Sequence, residues 1–307
     1  MDQKHDVWGW LLAVDIFLAG MGGGMLVIIG ILDLFIGTGR TSLLGNLLAP
    51  VFIGIGASIL ILELGRPFQA LRVFMNPKAT LTIGAWFMSF AITFGFVYAS
   101  FGIDMFFWSG WVFARKIFAV LCMVCGLVVA SYPGVLLGRH KGRPFWNGPG
   151  MIILFLLSSL VTGVAAHILS GFVLPPSTLT DVLGTFPKLA AGLLTFQLLL
   201  WFGYILVKRS GGTSAEAIAS QRWIKGDLSS IFQIGFLLLG TLLPLVLTLS
   251  SSQSTQAIGA ALVLLGGIIM RILVIRGGED RTWLPGEQKY RSRLPKGDET
   301  FLRAWNK

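Results

Sequence analysis

WLLAVDIFLAGMGGGMLVIIGILDLFI, residues 10–36, is an apolar run of a length that a bilayer calls for and a small soluble core does not. As a helix rising 1.5 Å per residue it reaches about 40 Å, more than the roughly 30 Å of hydrocarbon in a membrane. It is too long for the apolar part of a secretory signal, carries Asp15 inside it and lacks a small-x-small ending. It is therefore read as a helix that stays in the membrane. No strand precedes Gly20, Gly22, Gly23 and Gly24, which argues against a phosphate-binding loop and for close approach of neighbouring helices.

Working outward, comparable runs recur near 45–63, 80–102, 113–137, 150–173, 189–207, 229–250 and 256–275. The expectation is an all-α integral membrane protein with eight transmembrane helices. It is organised as two four-helix bundles, 1–137 with the N-terminal tail and 138–276, followed by an extended basic tail, 277–307. Composition agrees: 54% of the 307 residues are hydrophobic, 12% are charged and mean hydropathy is +0.78. A soluble domain carries about 25% charged residues.

An even number of spans puts both termini on one face. Of the 24 Lys and Arg residues, Arg40, Arg115, Lys116 and Lys188 fall on the opposite face and all others on the terminal face. The positive-inside rule then predicts cytoplasmic termini in a cell membrane. The net charge of +10 sits in short gaps and in the tail with little aromatic interleaving, a pattern for a membrane surface or docking partner rather than nucleic acid. Gly65-Arg66-Pro67-Phe68 and Gly142-Arg143-Pro144-Phe145 echo each other on that basic face. In both, proline marks a helix stop and arginine can snorkel or pair with a carboxylate.

Electron carriers are scarce in this sequence. Cys122 and Cys125 share one helix face as apolar packing residues, two ligands short of the four an iron–sulfur cluster usually takes. Of three histidines only His167 lies within a span, so paired haem ligation is not expected; His167 reads as an interhelical hydrogen bond, a proton carrier or a quinone contact. No metal site is expected.

Charges inside the spans are few, and each needs a partner, water or a proton. Asp15 and Glu63 approach the basic face, as do Tyr132, Trp146 and Asn147. A quinone site wants apolar walls, hydrogen-bond donors for two carbonyls and an acid that exchanges protons with water. Tyr132 supplies the donor, Glu63 or Asp15 the relay, and Arg66 orients Glu63. Tyr132 and Trp146 equally suit an interfacial aromatic belt, and Glu63 with Arg66 a helix-end ion pair. Another subunit must then bring electrons, docked near the pocket; the tail containing Trp283 reads as a docking arm or as a lipid-attracted segment. Competing classes are a proton or solute transporter, with Asp15, Glu63, His167 and Lys188 as its polar path, and a passive anchor.

Five motifs, Trp8-Gly9-Trp10, Ala19-Gly20-Met21-Gly22-Gly23-Gly24, Glu63-Leu64-Gly65-Arg66-Pro67, Ser131-Tyr132-Pro133-Gly134 and Arg143-Pro144-Phe145-Trp146-Asn147, resemble those of the NrfD/PsrC family, membrane subunits of polysulfide reductase and related molybdoenzyme complexes. Trp223–Leu247 and Arg271–Gly278 resemble its last two helices, so the likeness runs from about residue 8 to 278.

The resemblance implies a haem-free, eight-helix subunit that reacts with quinone or quinol, menaquinone or ubiquinone. It works with a four-cluster iron–sulfur subunit and a molybdopterin catalytic subunit. It implies quinone contacts at Tyr132, Glu63, Asp15 and Leu12, with Trp146 and Asn147 beside them. By their own chemistry and position, Glu63, Asp15, Arg66, His167 and Lys188 are expected to move protons, and Arg66, Arg72, Arg139, Arg143 and Trp283 to meet the partner. Where polysulfide reductase is expected to carry amide and imidazole groups on its first helix, this sequence has Leu12 and Asp15. Members with exported partners have their pocket at the outer face, whereas the charge count here places it near the cytoplasm.

Overall fold

Each of the eight apolar runs forms one membrane-length helix in the computed structural model, which describes residues 9–37, 41–63, 75, 80–140, 142–175 and 182–278. In chain order these are α1 (Trp10–Phe35), α2 (Leu43–Glu63), α3 (Thr80–Ser100), α4 (Val112–Gly138), α5 (Gly150–Val173) and α6 (Val182–Ser210). The amphipathic α7 (Ser214–Lys225) follows, then α8 (Ile231–Thr248) and α9 (Gln253–Gly277). Spans are helical because backbone N–H and C=O groups in hydrocarbon must pair within their own segment. The protein is thus an all-helical, multi-pass membrane protein, with no strand among the described residues.

α7 is the exception in length and polarity, and its start is written locally. Thr213 and Glu216 form a reciprocal capping box, each side chain satisfying a backbone N–H of the first turn. The first part of α8, Ile231–Leu242, is wound as a π-helix before reverting to α geometry at Leu243.

α1 is the hub. It packs on α2, α4, α5 and α9, and nearly all of it is buried. Its glycine run makes this possible, since consecutive residues face three different neighbours. A Cβ on Gly22 would stand 2.5 Å from the Ala49 carbonyl of α2, one on Gly23 3.0 Å from that of Gly126 on α4, and one on Gly24 2.0 Å from that of Ser159 on α5. Only hydrogen fits, and the backbones close on one another. α2, α3 and α4 complete a ring with α1, while α5, α6, α8 and α9 pack in sequence on its other side. Because α1 also lies on α5 and α9, it joins the two halves.

Two faces can be told apart from contacts between distant segments. Leu12 at the start of α1, Leu137 at the end of α4, Trp146, Trp223 on α7, and Leu273 and Val274 near the end of α9 fall in one buried cluster. This is the basic face of the sequence reading. At the other end Ser42 donates to the Leu174 carbonyl at 2.5 Å, and Arg115 of α4 pairs with Asp33 of α1 at 3.2 Å.

Candidate functional site

Four helices of the first half each contribute one element to a buried polar spot. Asp15 lies five residues into α1 and Tyr132 six residues before the end of α4, so both sit about 7–9 Å below the basic face. Asp15 is 3% and Tyr132 8% exposed, and Asp15 lies within electrostatic range of the Tyr132 hydroxyl. Glycines admit both side chains. A Cβ on Gly84 of α3 would stand 2.5 Å from Cζ of Tyr132, and one on Gly56 of α2 would stand 3.1 Å from Oδ1 of Asp15. The phenol ring therefore rests directly on the α3 backbone.

The Tyr132 hydroxyl is buried without a hydrogen-bond partner among the described residues. A buried O–H normally finds one, and leaving it unpaired costs about 1–3 kcal/mol. Pro133 follows immediately and has no N–H, so the Val129 carbonyl lacks its helical amide. An unspent donor with a carboxylate in electrostatic range suits a ligand with a carbonyl acceptor.

The other expected groups are placed as follows. Glu63 is the last residue of α2; its side chain, and Arg66, Arg72 and Trp283, lie outside the described residues. Leu12 is buried in the apolar cluster of the basic face. Trp146 is fully buried in the same cluster and donates its indole N–H to the Val274 carbonyl at 2.6 Å, so that donor is committed to α9. Arg143 stacks 4.5 Å over the Trp146 ring and donates to the Gly278 carbonyl, clamping the α4–α5 loop onto the end of α9. Arg139 is exposed and donates to the Thr80 hydroxyl at 2.8 Å.

Asn147 is exposed at the rim of a separate cleft of about 390 Å³ between α5 and α6, lined by Ile153, Leu199, Tyr204, Lys208 and Glu216. Lys208 is held there by the Pro144 and Asn147 carbonyls at 3.0 and 2.5 Å and by Glu216 at 2.5 Å. Partial burial opposes ionisation of Glu216. The Lys208 ammonium and the Thr213 N–H and hydroxyl outweigh it and hold the carboxyl below its ordinary range.

His167 and Lys188 belong to the far half of the membrane. His167 is buried six residues before the end of α5, with Nε2 3.2 Å from the Met25 carbonyl and its ring stacked on Phe186. Lys188 is exposed on α6. Neither joins Asp15 and Tyr132. Between His167 and the near half, Ser158, Ser159 and Thr162 are buried polar residues of α5.

One group escaped the sequence reading. Arg271, counted as an end-of-span residue on the basic face, is 0% exposed inside the protein. Its guanidinium donates to the Ser158 hydroxyl, to Ser159 Oγ at 3.2 Å and to the Gly267 carbonyl at 3.4 Å, and it faces the rings of Phe17 and Phe155. Its distance from the end of α9, six residues, equals that of Tyr132 from the end of α4. Read from the sequence, Arg271 stood at the end of the last span; its depth and the direction of its side chain come from the fold.

Comparison with known proteins agrees with this architecture. Over 300 aligned residues, 89% of this protein and 94% of the relative, it is 27% identical to the C subunit of polysulfide reductase from Wolinella succinogenes. It is 22% identical to protein NrfD of Escherichia coli over 196 residues, 53% of this protein and 59% of that one. The profile of the family described as "Polysulphide reductase, NrfD" matches residues 1–281, which takes in all eight spans: the chain belongs to the NrfD family.

Proposed function

We propose that this protein is the quinone-reactive membrane subunit of a polysulfide-reductase-type respiratory oxidoreductase, exchanging electrons between the membrane quinone pool and a docked iron–sulfur subunit. A molybdopterin subunit completes the complex, and the basic face, carrying Arg139, is its cytoplasmic docking side. One observation carries the reading: the buried Tyr132 hydroxyl, unpartnered among the described residues, lies within electrostatic range of Asp15 just below that face. The relationship to a polysulfide reductase subunit supports it.

Reducing a quinone to a quinol adds two electrons and two protons. The electrons come from the iron–sulfur partner, and the protons from water at the basic face, with Asp15 and Glu63 as the exchanging acids. Tyr132 donates a hydrogen bond to one carbonyl oxygen and fixes the ring. Buried Ser159, Thr162 and His167 favour a coupled reading, in which protons also pass along the seam of α1 and α5.

Purification of the native complex tests the proposal. A copurifying iron-rich subunit and quinone-dependent electron transfer in proteoliposomes are expected. Solute uptake by this protein alone, or electron transfer indifferent to quinone, overturns it. Trapped pH dye in the same vesicles reports whether turnover moves protons.

A further inference from the structure

Arg271 is a permanent positive charge in the interior of a membrane protein, without a carboxylate in ion-pair reach among the described residues. Buried Asp33 and Lys208 both have an opposite charge, Arg115 and Glu216. Arg271 has two serine hydroxyls, one backbone carbonyl and two aromatic faces, and its Nε has no partner among the described residues. Neutral dipoles reduce the cost of burying a guanidinium but do not cancel its field, which is strong where the dielectric is low.

That field falls on the proposed quinone pocket. Arg271 and Tyr132 lie at one depth, about 9 Å below the same face. Ser159, which receives the Nη2 hydrogen bond, donates in turn to the carbonyl of Ala130, two residues before Tyr132. Nη2 is also 3.3 Å from where a Cβ on Gly20 would stand, five residues after Asp15. α4 and α5 pack directly on each other, so Ser159 and Ala130 link the guanidinium to the helix that carries Tyr132.

We propose that Arg271 is a positioning charge for quinone reduction: without touching the ring, it favours the arrival of electrons there before protons have neutralised them. This rests on the quinone reading above. In the reductive direction the ring takes two electrons from the iron–sulfur partner and two protons from water, both carbonyl oxygens become hydroxyls, and negative charge appears on those oxygens in transit. The benefit is largest for a low-potential quinone, whose first electron is hardest to place.

The test uses the whole complex in proteoliposomes, reduced through its partner subunit by a viologen radical, with a low-potential naphthoquinone and a high-potential benzoquinone compared. Arg271→Gln is expected to lower kcat for the naphthoquinone about tenfold and for the benzoquinone less than threefold, with KM within twofold for both. Arg271→Lys restores most of the loss. Ser159→Asp keeps the arginine but pairs it with a carboxylate, and is expected to reproduce the selective loss. Ser159→Asn, matched to aspartate in size but neutral, is expected to slow both quinones alike. Equal losses for both quinones in Arg271→Gln, or identical behaviour of Ser159→Asp and Ser159→Asn, overturn the proposal and make Arg271 a structural clamp between α5 and α9, with the quinone reading intact. A native complex that reduces neither quinone removes both.

Discussion

Replacing Tyr132 by phenylalanine deletes one oxygen atom and should move stability and activity in opposite directions. The hydroxyl belongs to a residue only 8% exposed and is unpaired among the described residues, so the unliganded protein carries its desolvation penalty, about 1–3 kcal/mol. Removing it relieves that penalty and leaves the ring on Gly84 undisturbed. The thermal midpoint of Tyr132→Phe is expected to stay level or rise. Turnover should fall. A hydrogen bond to an oxygen that gains negative charge is worth about 1.5–3 kcal/mol, which is roughly 10- to 100-fold in kcat/KM. The assay is viologen-driven quinone reduction by the complex in proteoliposomes, beside scanning fluorimetry on the same preparation. Turnover within twofold of wild type, or a midpoint that drops with turnover, refutes the reasoning, because the hydroxyl would then be spent on the fold.

Further outcomes follow from packing and charge. Gly84→Ala places a methyl 2.5 Å from the Tyr132 ring; overpacking of this kind costs about 1–3 kcal/mol, and quinone turnover is expected to fall with little loss of assembled complex. Gly24→Ala meets the Ser159 backbone carbonyl at 2.0 Å, where neither helix can yield, and is expected to abolish recovery of folded protein on gel filtration. Gly171→Ala, with nothing within 4 Å, is the control and should behave as wild type. Glu216 has a depressed carboxyl, so its contribution to docking α7 is full above the ordinary glutamate value of about 4.3 and is lost as pH falls through the lower folded value. Proteolysis around α7 should rise in acid below that point, whereas Glu216→Gln should show raised cleavage at neutral pH with a flatter pH response.

The depth of the site was legible from counting, and its azimuth was not. Residue numbers from helix ends put Asp15 and Tyr132 on one level, as found. The same counting grouped Trp146 and Asn147 with them, yet Trp146 is committed to the α9 backbone and Asn147 opens on a cleft between α5 and α6. It also left Arg271 at a membrane edge, where long cations snorkel, while the fold turns it inward onto Ser158 and Ser159. A soluble helix shows its inner face by an apolar stripe, but a helix in lipid is apolar all round and shows none.

The amino-acid order alone determined how many times the polypeptide crosses the membrane, where the crossings start and end within a few residues except at the start of α6, which begins seven residues before the expected 189, and that the termini share the basic face. These follow from the length and polarity of segments, because each backbone must satisfy its hydrogen bonds within itself before any neighbour is present. Tertiary structure alone decided which helix faces which. Gly22, Gly23 and Gly24 read as a patch of small residues until three backbones are seen to close on them, making α1 the hub. Only that arrangement brings Asp15 within electrostatic range of Tyr132 and turns Arg271 onto Ser158 and Ser159, since contacts between segments far apart in sequence depend on rotation about each helix axis.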